Sequence, residues 1–127
     1  LNLEKVVFGF FIILAMTLNF GFFIGDLADP VQHNVYEMYA AIAVNLVATV
    51  LKFGDRTQVG ALHLATSLVA DLQLIAAAVI WAYAAHAVQG GMTPHIMASI
   101  VSLSGGAFVA NVVSAVLLII ETAQLRR

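Results

Sequence analysis

Polar residues gather in three short breaks along this chain, and the stretches between them stay apolar for about 20 residues or more, the length a helix needs to cross a bilayer. The apolar stretches run over about 6–25, 35–53, 59–88 and 94–122. The first break contains Asp26-Leu27-Ala28-Asp29-Pro30, the second Gly54-Asp55-Arg56, and the third Gln89-Gly90-Gly91-Met92-Thr93-Pro94. Glycine, proline and short polar residues of this kind end helices and start turns. Thr93 before Pro94 reads as an N-cap followed by a first-turn proline. The second break is short enough to make helices two and three antiparallel neighbours. The pattern predicts an all-α, polytopic membrane protein whose four transmembrane helices form an up-down bundle. With no internal repeat and no long linker, residues 1–127 read as a single domain.

Composition supports the membrane reading. Hydrophobic residues make up 62% of the chain and charged ones 9%; a soluble domain carries about a quarter charged residues. A net charge of −2 without a basic stripe argues against nucleic acid as a partner. The absence of cysteine excludes a disulfide scaffold and a thiol nucleophile. There is no phosphate loop, HExxH zinc motif or nucleophile elbow, so no enzyme and no cofactor is expected. The first helix has no small-residue cleavage site and is too long for a signal peptide.

Charge placement predicts orientation. Lys5, Lys52, Arg56, Arg126 and Arg127 all fall on one side, which the positive-inside rule assigns to the cytoplasm together with both termini. A bacterial inner membrane is the expected location. The opposite side holds Asp26, Asp29, His33, Glu37, His86 and His95.

All charges but one lie at or near a helix end. The exception is Asp71, roughly 16–18 Å from either end of helix three at the α-helical rise. An ionised Asp at a helix centre costs ~2.5–3.5 kcal/mol on insertion scales, so such a residue faces water, meets a polar partner or is protonated. His63, Ser67 and Asp71 are spaced by four and share a face of helix three; Glu37, Ala41, Asn45 and Thr49 do the same on helix two. Asn111 brings an amide to the middle of helix four, while Gln73 points away from Asp71.

Ala98, Ser102, Gly106, Ala110 and Ser114 form a small-residue packing stripe on helix four, and Thr17, Gly21 and Gly25 a shorter one on helix one. His33, His86 and His95 read as solvated loop residues; no dense metal-ligand motif is present. His63 could relay protons to Asp71, whereas haem would need a second axial ligand at similar depth. The run from Thr49 to Asp55 only loosely resembles a potassium-channel filter, because Lys52 stands where the first glycine is needed. Length and helix count are similar to those of small multidrug transporters and fluoride channels. The former carry their essential carboxylate in helix one, which has none in its span here, and the complete Lys/Arg bias departs from both.

The function expected from these residues is a homo-oligomer in the lipid bilayer that conducts cations. Asp71, Ser67, Asn45, Thr49 and His63 would line the pathway, around a symmetry axis, and Asp26, Asp29 and Glu37 would concentrate cations at the outer mouth. Two alternatives use the same residues. One is an accessory subunit in which Asp71 is a packing or partner contact. The other is a small transporter with Asp71 as its proton carrier.

Overall fold

The structure, a computed structural model, describes residues 3–24, 33–87 and 89–125. These form four helices, α1 (Leu3–Phe23), α2 (Val35–Lys52), α3 (Gln58–His86) and α4 (Pro94–Leu125), each long and apolar enough to cross a membrane. The expected helices are present with ends shifted by a few residues. Asp26, Asp29, Gly25, Arg126 and Arg127 lie outside the described residues.

The helix starts follow from local hydrogen bonding. Asn34 caps α2 by accepting from the Tyr36 amide at 2.9 Å. Thr57 caps α3 through its hydroxyl, which accepts from the Gly60 amide at 2.9 Å. At α4 the Thr93 hydroxyl accepts from the Ile96 amide at 3.2 Å and Pro94 opens the helix, as the sequence suggested. Between α3 and α4 the chain turns through Gly90 and Gly91 at φ of 89° and 73°, which side-chain-bearing residues rarely adopt.

Each helix packs on its sequence neighbours, and α1 closes the ring on α4. Contacts pair the start of one helix with the end of the next. Lys5 meets Glu121, Asn19 meets Ser104, and His63 meets Ser114, so neighbours run antiparallel. Phe22, Met38, Leu74, Met97, Ile100 and Val101 build the main apolar core at the end away from Lys5 and Lys52. There, His33 departs from the loop expectation. It is 3% exposed, and its Nδ1 donates to the Phe22 carbonyl 2.5 Å away, since a carbonyl can only accept. His86 and His95 are exposed, but they stand on helix rather than loop, His86 as the last residue of α3 and His95 in the first turn of α4.

The surface is inverted relative to a soluble bundle. Leu72 and Val50 are 71% and 69% exposed, with Phe10, Val79 and Ile119 also turned outward. Asn19, Asn45, His63, Ser67, Asp71, Asn111 and Ser114 are buried. A lipid surround would accept the first set, and only partners inside the protein or water can satisfy the second.

The small-residue stripe on α4 divides. Ala110 and Ser114 are buried, Gly106 and Ala98 are half-buried, and Ser102 is exposed. A strict spacing of four runs ahead of the 3.6-residue turn by about 40° each step, so five such positions cannot share one contact line. Gly106 has a specific role: a Cβ there would stand 2.6 Å from the Gln73 amide oxygen. Gly106→Val should therefore destabilise the detergent-solubilised protein by about 1–3 kcal/mol through overpacking, while Ser102→Val should leave its unfolding midpoint unchanged.

Candidate functional site

Asp71 is 6% exposed and turns into the bundle toward α2. It does not face the outer surface, where a symmetry axis between subunits would run. Its Oδ2 lies 2.5 Å from the Thr49 hydroxyl oxygen, and Oδ1 has no hydrogen-bond partner among the described residues. The same Thr49 hydroxyl is 2.9 Å from the Asn45 carbonyl one turn back on α2. A hydroxyl carries one proton, so Thr49 cannot donate to both. When it donates to the Asn45 carbonyl, the short contact to Asp71 needs the proton of a carboxylic acid. When Asp71 is ionised, the Thr49 proton swings across to it, and the Asn45 carbonyl keeps its helical bond. One rotation of the Thr49 hydroxyl thus accommodates either protonation state. Asn45 donates from Nδ2 to the Ala41 carbonyl at 2.8 Å and leaves Oδ1 unpartnered.

Two α-helical turns from Asp71, His63 is fully buried. Its Nδ1 is 2.7 Å from the Ser114 hydroxyl, and its Nε2 is 3.9 Å from Glu121 Oε1. The other Glu121 oxygen pairs with Lys5 at 2.6 Å. The Phe8 ring meets the imidazole edge-on at 4.9 Å, and Lys52 sits over the other part of that ring, 4.2 Å from its centroid. Phe8 and Lys52 also line a cavity of about 760 Å³ whose wall includes Glu4, Asp55 and Arg56. Asp55 accepts from the Thr57 hydroxyl at 2.7 Å and from its amide at 3.0 Å. These bonds, the hydroxyl's first, and more weakly the Lys52 ammonium at 3.5 Å hold the Asp55 carboxyl below its usual value.

The residues expected to line a pathway are therefore gathered inside one bundle. Ser67 lies between His63 and Asp71 on the buried face of α3, its hydroxyl unpartnered. Asn111, one turn from Ser114, is buried with both side-chain polar atoms unpartnered. Glu37 sits apart from this group, half-buried against Gly21, where a Cβ would collide with its carboxylate. Gln73 packs on Gly106, away from Asp71 as its helical angle required. Among the described residues, no three His, Cys, Asp or Glu side chains converge on a metal site. Both nitrogens of His63 face protein groups, which leaves no face for haem.

Glu121 was legible only as a helix-end charge, yet its oxygen approaches His63 across 58 residues of sequence. Asn19 was missed as well; its Oδ1 lies 3.4 Å from the Ser104 hydroxyl and its Nδ2 is unpartnered. The clue in the sequence was the rarity of amides within an apolar stretch, a signal that marks depth but not direction.

Fold and site together define an all-helical protein of four membrane-length helices around a polar interior. The chain belongs to a family of unknown function (DUF6394), whose model matches residues 32–122, covering α2, α3 and nearly all of α4. No curated protein and no solved structure matches the chain.

The lowered Asp55 carboxyl has a consequence for stability. A carboxylate held below its unfolded value, about 3.9 for aspartate, stabilises the fold above that pH, and the contribution is lost as pH falls through the folded value. In detergent, the stability difference between wild type and Asp55→Asn should be present at neutral pH and should vanish in strong acid.

Proposed function

We propose that this protein is an integral membrane protein, with both termini in the cytoplasm of a bacterial cell, that moves a cation through the interior of its bundle. Asp71 is the ion site and the proton is the cation. The observation that carries this reading is the Asp71 carboxyl itself. It is buried midway along α3, bound through one oxygen to a hydroxyl that can switch between two acceptors, with its other oxygen unpartnered. A metal cation would need several oxygens converging on it. A proton needs one acceptor and a route, and the Thr49 hydroxyl adjusts to its presence or absence. Unpartnered polar atoms on Ser67, Asn111 and Asn45 offer sites for buried water along that route. The basic residues Lys5, Lys52 and Arg56 at one end support the cytoplasmic assignment of that end. A pathway inside the bundle works in one chain, whatever oligomer it forms.

Proteoliposomes with an imposed potassium diffusion potential and an internal pH dye test the reading. Wild type should admit protons, and Asp71→Asn should reduce the rate by about tenfold or more while eluting identically from a sizing column. No proton entry with wild type would defeat the proposal, and tight co-purification with another membrane protein would then favour an accessory subunit. Orientation has a separate test, because the chain has no cysteine of its own. A membrane-impermeant maleimide should label Gln89→Cys in intact cells, and Arg56→Cys only after permeabilisation; the reverse pattern would invert the topology.

A further inference from the structure

We propose that His63 passes protons between Glu121, at the end of the bundle that holds Lys5, and the buried groups around Asp71. This rests on the proton reading above and adds to it an entry route with a defined relay. Three observations support it, independent of the Asp71 geometry.

First, His63 is fully buried and touches polar groups on both sides of its ring. Its Nε2 edge faces the Glu121 carboxylate and its Nδ1 edge faces the Ser114 hydroxyl. The charged groups around it are Lys5 on α1, Lys52 on α2, Asp55 in the α2–α3 turn and Glu121 on α4. An imidazole between an outward carboxylate and an inward hydroxyl can take a proton on one nitrogen and release one from the other.

Second, both facing atoms, His63 Nε2 and Glu121 Oε1, are buried and lack a hydrogen bond. Their 3.9 Å separation exceeds a hydrogen bond. A bridging water, or a shift of roughly 1 Å, closes it. Glu121 is held at this distance by its second oxygen, which is engaged by Lys5.

Third, the 760 Å³ cavity brings the bundle end to within one side chain of the imidazole. Phe8 lines the cavity and its ring meets His63 edge-on, so Phe8 and the Lys52 laid over it separate the cavity from the relay.

The transfer balances without any other reactant. Neutral His63 donates from Nδ1 to Ser114 and presents a bare Nε2. A proton arriving from protonated Glu121 forms the imidazolium and leaves the carboxylate. The Nδ1 proton then passes to the Ser114 oxygen as that hydroxyl gives its own proton to buried water, whose chain ends on the Asp71 carboxylate. This transfer leaves neutral His63 with its proton on Nε2, and a water that takes that proton and delivers one to Nδ1 restores the first tautomer.

The test compares wild type, Asp71→Asn, His63→Gln and Phe8→Ala in the same proteoliposomes. Gln keeps hydrogen-bonding capacity at position 63 without a titrating ring. His63→Gln should lower proton entry by about tenfold or more and flatten its dependence on pH near neutrality, while Phe8→Ala should raise entry. Entry at the wild-type rate and pH profile in His63→Gln, with Asp71→Asn silent, would overturn the relay and leave the Asp71 reading intact. A second measurement needs no transport and guards against a variant that simply misfolds. In detergent at acid pH, the infrared carbonyl band of protonated Asp71, identified by its loss in Asp71→Asn, should exchange with deuterium about tenfold more slowly in folded His63→Gln. Equal exchange rates in the two folded proteins would also overturn it.

Discussion

The Thr49 hydroxyl has one proton to give and stands between two acceptors, the Asp71 carboxyl and the Asn45 carbonyl. In water that choice would mean little, because solvent would satisfy whichever acceptor lost. Inside a bundle with an apolar outer surface it lets the interior hold the carboxyl in either charge state. A carboxyl at this depth can exist only because a neighbouring helix presents a group able to serve both its forms. Thr49 does so because it lies four residues from Asn45, where a Thr side chain can bond back to the preceding turn, and on the face of α2 that meets α3.

The packing around this pair follows from it. For α2 and α3 to hold the hydroxyl against the carboxyl, the other side of α3 must be fixed on α4. Gly106 admits the Gln73 amide there, and Ser114 meets His63. Ala41, Ala48, Ala70, Ala77 and Ala107 are fully buried, so much of the interior is small side chains and backbones lie close enough for short polar side chains to reach across. Bulky apolar residues are placed on the outer surface instead. The large aromatic and methionine side chains within the bundle collect mainly toward the end with Phe22, Met38 and Met97. Most of the buried polar residues occupy the middle and the end near Lys5, with His33 at the other end.

Much of this was legible in the sequence, for definable reasons. Helix number and extent follow from the length of apolar runs, and the start of α4 from Thr93 and Pro94; the Asn34 and Thr57 caps emerged only with the structure. The buried faces carrying Asn45 and Thr49, and His63, Ser67 and Asp71, follow from a spacing of four over two or three turns. Over five positions the same rule failed on α4, where Ser102 drifts to the surface. Direction was harder. Periodicity says which residues share a face but not whether the face meets a neighbour or a symmetry axis, so Asp71 was assigned to an axis when it points at Thr49. Long-range partners were hardest. Glu121 and Lys5 read as two helix-end charges, and only closure of the ring by α1 against α4 joins them over His63. His33 read as loop because it sits in a polar break; a free helix carbonyl at Phe22 drew it in.

The family match divides these contributions in an informative way. It covers Asn45, Thr49, His63, Ser67, Asp71, Asn111, Ser114 and Glu121, and leaves α1 out. What α1 adds is of a different kind. Lys5 holds one oxygen of Glu121, and Phe8 covers the edge of the imidazole. None of these α1 groups carries a proton in the proposed route; they set how exposed and how free the carriers are. In that route an ion pair that restrains Glu121 and a ring that shields His63 would both limit leakage, and both involve side chains alone. In the proposed route the chain would thus separate two requirements that conflict in a dry interior. Residues of α2 to α4 would hold the polar groups that exchange the proton, and α1 would cover them.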